Sequence, residues 1–471
     1  MALITMKFGG TSVGSLEALT NVVQIVQDTV AAGDQPIVIV SAMSGVTDQL
    51  LNSIADAAAG NKWGYLSTAQ KIRDRHEVII NQLIQPGRNR ESVTQEIAGL
   101  IAQHGELCQA VNVLGEATPR IVDAIVAFGE RLSARMIAAI LRDKGVNARA
   151  YDAGTFLVTD EAFTSANPLW QQTQANIDSK LKPALAQGVI PVITGYIGQT
   201  NAGHITTLGR GGSDFSGAIF AAATDSAELI IWTDVDGVMT TDPRLDPRAR
   251  VLPYISYTEV GELAYYGAKV LHPKTVQPIV GKGIPMRVCN TFNPKFEGTL
   301  IGAEMKPSAS VIKAVTSVKD VSLLTVSGKG MIGVPGIAGR TFLAAARAGG
   351  NILMIMQASS EQSFCFVIAD SHAALSKAEI EAELKSEMTQ QNVDMVSVQS
   401  DVAIVTVVGA AMQGTPGVAG RVFTTLGDRG VNVIAIAQGS SECSISFVIS
   451  EADLQRAVVG LHELALDVVP A

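Results

Sequence analysis

The first residues able to do chemistry arrive almost at once, in the string KFGGTSVGS from Lys7 to Ser15. A lysine beside a glycine pair offers an anion one mobile positive charge and closely approachable backbone N–H groups. In a P-loop the lysine follows its glycines, whereas here Lys7 precedes Gly9 and Gly10. Taken alone, the string is equally an ordinary strand-to-helix connection. A second string, TTLGRGGSDFSGA from Thr206 to Ala218, is richer. Arg210 can grip a carboxylate or phosphate with two parallel hydrogen bonds. Gly211 and Gly212 admit a ligand against the backbone, and Ser213 and Asp214 fall at a predicted helix start. Asp214 then serves either as a cap or as a group that orients a lysine.

Three further places are chemically suggestive. WTDVDGVMTTDPR, from Trp232 to Arg244, ends an apolar strand in Thr233 and Asp234, followed by Asp236, Asp242 and Arg244. Hydroxyl and carboxylate groups at a strand end suit a ribose, a base or hydrated magnesium; the plainer reading is a turn-rich surface loop. GAKVLHP adds Lys269 at a predicted helix end, with His272 as a structural residue beside Pro273. Glu130, in FGERLS, sits in an apolar context at a helix start, so it needs an ion-pair partner or a substrate ammonium. Ser41 and Thr47 flank the loop SAMSGVT, where they could hold a small polar ligand or merely cap.

These residues need a scaffold, and the chain is long enough for several domains. It has 471 residues, 47% of them hydrophobic and 17% charged, which suits two or three well-buried cores. A net charge of −9 leaves no basic excess for phosphate-backbone binding, so no nucleic-acid partner is expected. Cys108, Cys289, Cys365 and Cys443 are scattered without a C-x-x-C pair and read as free thiols in a reducing compartment. The six histidines are equally dispersed, so no resident metal site is expected. Nothing reads as a signal peptide or a membrane span, and the expected setting is cytoplasmic.

The first half alternates strand and helix. SLEALTNVVQIVQDTV puts Leu16, Leu19, Val22, Val23, Val26 and Val30 on one helical face with Ser15 as N-cap. PIVIVSAMSG, GVIPVITGYIG and AELIIWTDVDGV are continuous apolar runs ending in small polar residues. They predict a mostly parallel central sheet sandwiched by helices, with its site at the carboxyl edge. Residues from about Asn61 to Pro119 are more polar and read as a helical insertion. The tail contains a repeat: Met331 maps to Met412, Gln357 to Gln438 and Phe366 to Phe447, each at a shift of 81. Each copy follows a β-α-β-β-α-β order, predicting two α+β modules. The expected boundaries are 1–305, 306–395 and 396–471, with the tail's first strand, ASVIKAVTSV, able to pair with the second module.

In order along the chain, KFGGTSV, VSAMSGVT, FGERLS, TTLGRGGSD, WTDVDGV, TTDPR and GAKVLHP, then the repeated modules, resemble the aspartate kinases of the amino-acid-kinase superfamily. The resemblance covers essentially the whole chain and reads the repeat as tandem ACT modules. It implies transfer of the γ-phosphoryl of ATP, with Mg2+ as part of the cosubstrate and no permanently bound cofactor, to the β-carboxylate of L-aspartate. The product would be 4-phospho-L-aspartate, on the route to lysine, threonine and methionine. By the same resemblance Lys7 neutralises the transferring group, Gly9 and Gly10 supply backbone donors, and Asp214 holds Lys7. Arg210 takes the substrate α-carboxylate and Glu130 its ammonium, while Ser41, Thr47, Gly211, Gly212 and Ser213 complete the pocket. Thr233, Asp234, Met239, Asp242, Arg244, Lys269 and Val270 lie at the nucleotide, Met239 standing where the family often has tyrosine.

The physics agrees with that picture. A carboxylate is already nucleophilic, so bringing two anions together and screening their charge is the main task. In the modules, Asn351, Ile352 and Gln357 and their equivalents Asn432, Val433 and Gln438 are the implied effector-binding residues, since neutral amides can hold an amino acid's polar groups. MQASSE and AQGSSE look most like threonine-sensitive forms, so threonine is the expected effector and lysine the second choice. At least a homodimer is expected, with no dehydrogenase region attached. Two other readings stand beside this one: another carboxylate kinase, acting on acetylglutamate or glutamate, and a non-catalytic amino-acid sensor. A dinucleotide dehydrogenase is weaker, because no G-x-G-x-x-G follows the first strand.

Overall fold

Short apolar runs, too brief for helices, become the strands of a central sheet. The computed structural model describes residues 1–267, 271, 273–306, 310–357, 362–439 and 441–466. The chain divides into two compact units: Met1–Val238, Pro253–Tyr257 and Val270–Ala303 form the first, and Met239–Leu252, Thr258–Lys269 and Glu304–Ala471 the second.

The strands of the first unit are β1 (Leu3–Phe8), β2 (Gln35–Val40), β3 (Ala148–Tyr151), β4 (Val158–Thr159), β5 (Ile190–Thr194), β6 (Ile197–Thr200), β7 (Ile205–Thr207), β8 (Glu228–Thr233), β9 (Tyr254–Ser256), β10 (Met286–Asn290) and β11 (Thr299–Gly302). Its helices are α1 (Leu16–Ala31), α2 (Val46–Ala58), α3 (Lys62–Leu83), α4 (Arg88–Leu114), α5 (Pro119–Val126), α6 (Phe128–Asp143), α7 (Trp170–Asn176), α8 (Lys182–Ala186) and α9 (Gly212–Thr224). Next come α10 (Tyr257–Tyr265), which lies in the second unit from Thr258 onward, and α11 (Pro273–Val280) of the first.

An eight-stranded sheet runs in the order β3-β5-β2-β1-β8-β10-β11-β9, parallel throughout except where β11 turns back against β10. Side chains alternate across it. Val38 and Val40 of β2 pack into a core with α1 to α6, while Ile37 and Ile39 face Phe215, Ile219 and Phe220 of α9 on the other side. Both faces are therefore covered, which is why β2 reads as an unbroken apolar run. The Ser15 hydroxyl accepts the Ala18 N–H at 3.2 Å and caps α1. Val30 departs from the expected stripe: it ends the helix 40% exposed, past the point where the sheet covers it. The run GVIPVITGYIG is two strands rather than one. It breaks at Tyr196, whose φ of 67° swings β6 out of the main sheet to pair with β4 and β7.

The second unit adds β12 (Ala314–Ser327), β13 (Ile352–Gln357), β14 (Ser363–Ala369), β15 (Met395–Val408), β16 (Ala435–Ala437) and β17 (Ser444–Ser450), with helices α12 (Ile337–Arg347), α13 (Ala373–Glu383), α14 (Lys385–Thr389), α15 (Val418–Asp428) and α16 (Leu454–Leu466). Its sheet order is β13-β14-β12-β15-β17-β16. The two central strands are long because each serves both repeats. Ala314–Val318 pairs with Ile404–Val408, and Leu323–Ser327 with Met395–Gln399. Between these stretches each strand kinks at an aspartate with φ of 56°, Asp320 and Asp401, again 81 residues apart. Aspartate is among the few side chains that tolerate that left-handed region. Among the described residues no helix is long and apolar enough to cross a membrane.

Candidate active site

Lys7 lies in the middle of the sheet, its backbone paired to Ile39 on one side and Ile231 on the other. Its side chain points to the α9 face. There Gly217 gives the stem room, since a Cβ at that position would stand 3.3 Å from the Lys7 Cβ. The Lys7 ammonium pairs with the Asp214 carboxylate in the first turn of α9, where the helix N-terminus favours negative charge.

This pair opens into a cleft of about 440 Å³ lined by residues from separate strands, helices and loops. Lys7 and Gly10, Ser41 and Thr47, Glu130, and the run from Arg210 to Asp214 all border it. The Gly9 N–H is donated to the Trp232 carbonyl at 3.0 Å, and of the glycine pair Gly10 borders the cleft. Glu130 is 3% exposed, and burial pushes its carboxyl up to about 8. A backbone hydrogen bond from Ala42 and the charge of Lys7 pull the other way without cancelling that effect. Its Oε2 has no hydrogen-bond partner among the described residues, so a buried acceptor borders the cleft.

The loops are held from beneath. The Trp232 carbonyl also accepts the Ser12 hydroxyl at 3.1 Å, and Thr291 donates to Ser12 at 2.7 Å. Buried Asp123 accepts the Thr207 hydroxyl at 2.7 Å and the Thr164 N–H at 2.8 Å, fixing the strand that leads into Arg210. Asp236 accepts from Asn290 at 2.9 Å and Asn293 at 3.1 Å. Tyr196 borders the cleft as well. Sequence reasoning missed Tyr196, Asp123, Asn290 and Asn293. Only Tyr196 left a trace, as the tyrosine interrupting an apolar run.

Of the expected nucleotide residues, Thr233 and Asp234 stand at the end of β8, with the Thr233 hydroxyl 3.2 Å from the Asp234 carboxylate. Met239, Asp242 and Arg244 belong to the second unit. There Arg244, whose side chain is 75% exposed, is folded back onto Asp242 at 2.6 Å. Lys269, Val270 and His272 lie outside the described residues. In the repeats, Gln357 at the end of β13 and Gln438 just past β16 line one cleft of about 470 Å³, together with Thr325 and Cys365. Asn351, Ile352, Asn432 and Val433 are not among its lining residues. No group of three or more His, Cys, Asp or Glu among the described residues is placed to hold a metal ion.

The sheet, the strand-end lysine and the repeated modules define a class. Residues 2–290 match the amino acid kinase family, and residues 324–384 and 405–464 match the ACT domain. The chain is 33% identical over 461 residues to the maize chloroplastic bifunctional aspartokinase/homoserine dehydrogenase 1, covering 97% of this chain and 50% of that protein. It is 32% identical over 463 residues to chloroplastic aspartokinase 1 of Arabidopsis thaliana, covering 97% and 79%. The E. coli aspartokinase III complex with aspartate and ADP, described as the R-state, superimposes with a TM-score of 0.82 at 28% identity, covering 99% of this chain and 100% of that one. The complex of the same protein with lysine and aspartate, the T-state, gives 0.80 at 28% identity and the same coverage. This chain belongs to the aspartokinase family. It spans about half the length of the bifunctional relatives it matches.

Proposed function

We propose that the chain transfers the γ-phosphoryl group of ATP to the β-carboxylate of L-aspartate, giving 4-phospho-L-aspartate and ADP. The observation that carries this is the convergence of Lys7, Glu130, Arg210 and Asp214 on one cleft. An amino acid with a second carboxylate needs an anion for its ammonium and a cation for its α-carboxylate, which Glu130 and Arg210 supply. Its free carboxylate is then the nucleophile. An oxygen–phosphorus bond forms as the bond to the ADP oxygen breaks, and Lys7, steadied by Asp214, screens the charge on the transferring group. Ser41, Thr47 and the Gly211–Ser213 backbone close the pocket around the amino acid. Thr233, Asp234, Met239, Asp242, Arg244, Lys269 and Val270 take the nucleotide, and magnesium enters with ATP as part of the cosubstrate. The E. coli relative held aspartate and ADP together, which supports this pairing of ligands.

The reading extends to regulation and setting. The ACT repeats bind an amino-acid effector through Gln357 and Gln438, with Asn351, Ile352, Asn432 and Val433 as flanking positions. Threonine is favoured on the MQASSE and AQGSSE strings, and lysine, which the T-state relative contained, comes second. The enzyme works in the cytoplasm as at least a homodimer, at the entry to lysine, threonine and methionine synthesis. Its catalytic region spans 1–305, and its modules span 306–395 and 396–471. One assay tests the core of this: ADP release measured with aspartate, acetylglutamate and glutamate as separate acceptors. Aspartate alone is expected to support turnover, and Lys7→Ala is expected to lower kcat on the order of 10²–10³-fold. A variant with wild-type turnover would overturn the assignment.

A further inference from the structure

Two loops bring the reactants together in the reading above, and a side chain with no assigned role ties them to each other. The phosphate turn, residues 9 to 15, and the aspartate loop, residues 41 to 47, meet backbone to backbone. The Ser44 N–H donates to the Gly10 carbonyl at 3.0 Å. A Cβ on Gly14 would stand 2.9 Å from the Gly10 oxygen and 3.3 Å from the Ser44 Cβ, so no side chain fits between the loops there. Over this junction reaches Arg75, from α3 of the helical insertion. One terminal nitrogen donates to the Ser44 carbonyl at 2.7 Å and the other to the Gly14 carbonyl at 2.8 Å.

We infer that Arg75 is a positioning residue for phosphoryl transfer, its guanidinium fixing the phosphate turn and the aspartate loop at one separation. The fork is suited to this, because its two donors are held in one plane and cannot be aimed independently. Its base is rigid: Ile72, His76, Ile79 and Ile80 bury the same stretch of α3. A short spacer on a rigid helix is what keeps two loops in register. Ser44 is itself exposed, so water can replace the lost donor at its carbonyl. Removing Arg75 therefore disturbs the mutual placement of two bound substrates more than the stability of the fold. An error of about 1 Å in that placement can cost on the order of 100-fold in rate.

This rests on the aspartate kinase reading, and the test separates the two. Wild type, Arg75→Ala and Arg75→Lys are compared in the ADP-release assay with aspartate and ATP varied in turn. Arg75→Ala is expected to lose kcat by roughly 10- to 100-fold. Each KM should stay within about threefold, because Arg75 touches neither substrate. Arg75→Lys should recover part of the rate, and added millimolar guanidinium should speed Arg75→Ala but not wild type. Thermal melting of the variants should stay within a few degrees of wild type. A fully active Arg75→Ala beside an active wild type overturns this inference alone. So does a rate loss that guanidinium leaves untouched and that tracks a fall in melting temperature. A wild type inactive on aspartate overturns the underlying reading, and this one with it.

Discussion

On the proposed reading Glu130 receives the substrate ammonium, although its carboxyl is almost fully buried and burial holds it near 8. At neutral pH the free site therefore keeps it mostly protonated, whereas an ammonium is attracted to the carboxylate. On that reading, binding aspartate releases a proton. kcat/KM for aspartate is expected to rise with pH toward about 8 and then level, because that ratio reports groups in the free enzyme. Glu130→Gln should lower kcat/KM and flatten the rise, and a pH–rate series on both proteins checks it. The same shift acts on stability in the opposite sense. The native state holds a proton that the unfolded chain has released above about 4.5, so this group makes the ligand-free protein less stable as pH climbs from there toward 8.

Among the elements, α3 and α4 carry a different titration. His76 and His104 are fully buried, and desolvation lowers both to about 4. An unfolded chain takes up protons on these rings below its ordinary 6.5, while the folded one resists until about 4. Their contribution to stability is thus intact above 6.5 and lost as pH falls through that window, on the order of 3 kcal/mol per ring by its lower end. Thermal melts from about pH 7.5 to 4.5 should show the slope. His104→Gln, which keeps a polar partner for the Ser53 hydroxyl 3.0 Å away, should reduce it. In the second unit α10 presents Glu259 to Lys313 at 2.9 Å, both buried, and the other carboxylate oxygen accepts the Ala410 N–H at 2.6 Å. Lys313→Met removes one buried cation from that carboxylate and is expected to cost about 3–5 kcal/mol in chemical denaturation. Adding Glu259→Leu should recover part of the loss, since the charge and its partner are then both gone.

At the scale of the molecule, the two repeats are not beads on a string. The second repeat's core of Val422, Phe447, Ile449 and Leu461 includes Ile312 and Val315, which precede the first repeat in the chain. Ala314–Val318 completes the second repeat's share of the sheet. Residues 396–471 alone are therefore expected to stay unfolded by circular dichroism. The cleft between β13 and β16 is lined by both Gln357 and Gln438, one from each repeat. Gln438→Ala is expected to weaken inhibition by threonine or lysine severalfold with little change in uninhibited kcat, read as an effector titration of the kinase assay. Inhibition by lysine but not threonine would reverse the order of effectors proposed above.

The motifs that carry chemistry could be read from the chain because each is a local device: a strand end, a glycine turn and a charged side chain within a few residues. KFGG and GRGGSD are separately ambiguous, and their order along the chain, with the 81-residue repeat, was enough to indicate the family. What local pattern does not contain is distance across the fold. Only the sheet order places β1 beside β8 and sets Lys7 under α9, where Asp214 meets it. The Gly9 N–H is committed to Trp232 because those two strands are neighbours, which no reading of the turn reveals. Arg75, Asp123 and Asn290 act on segments 31, 84 and 54 residues away in sequence, and Asn293 joins Asn290, through hydrogen bonds to backbone atoms or other supporting side chains. Composition and motif therefore determined which groups the protein has. Tertiary packing decided which of them share one cleft, and through burial it set the charge state in which Glu130 waits.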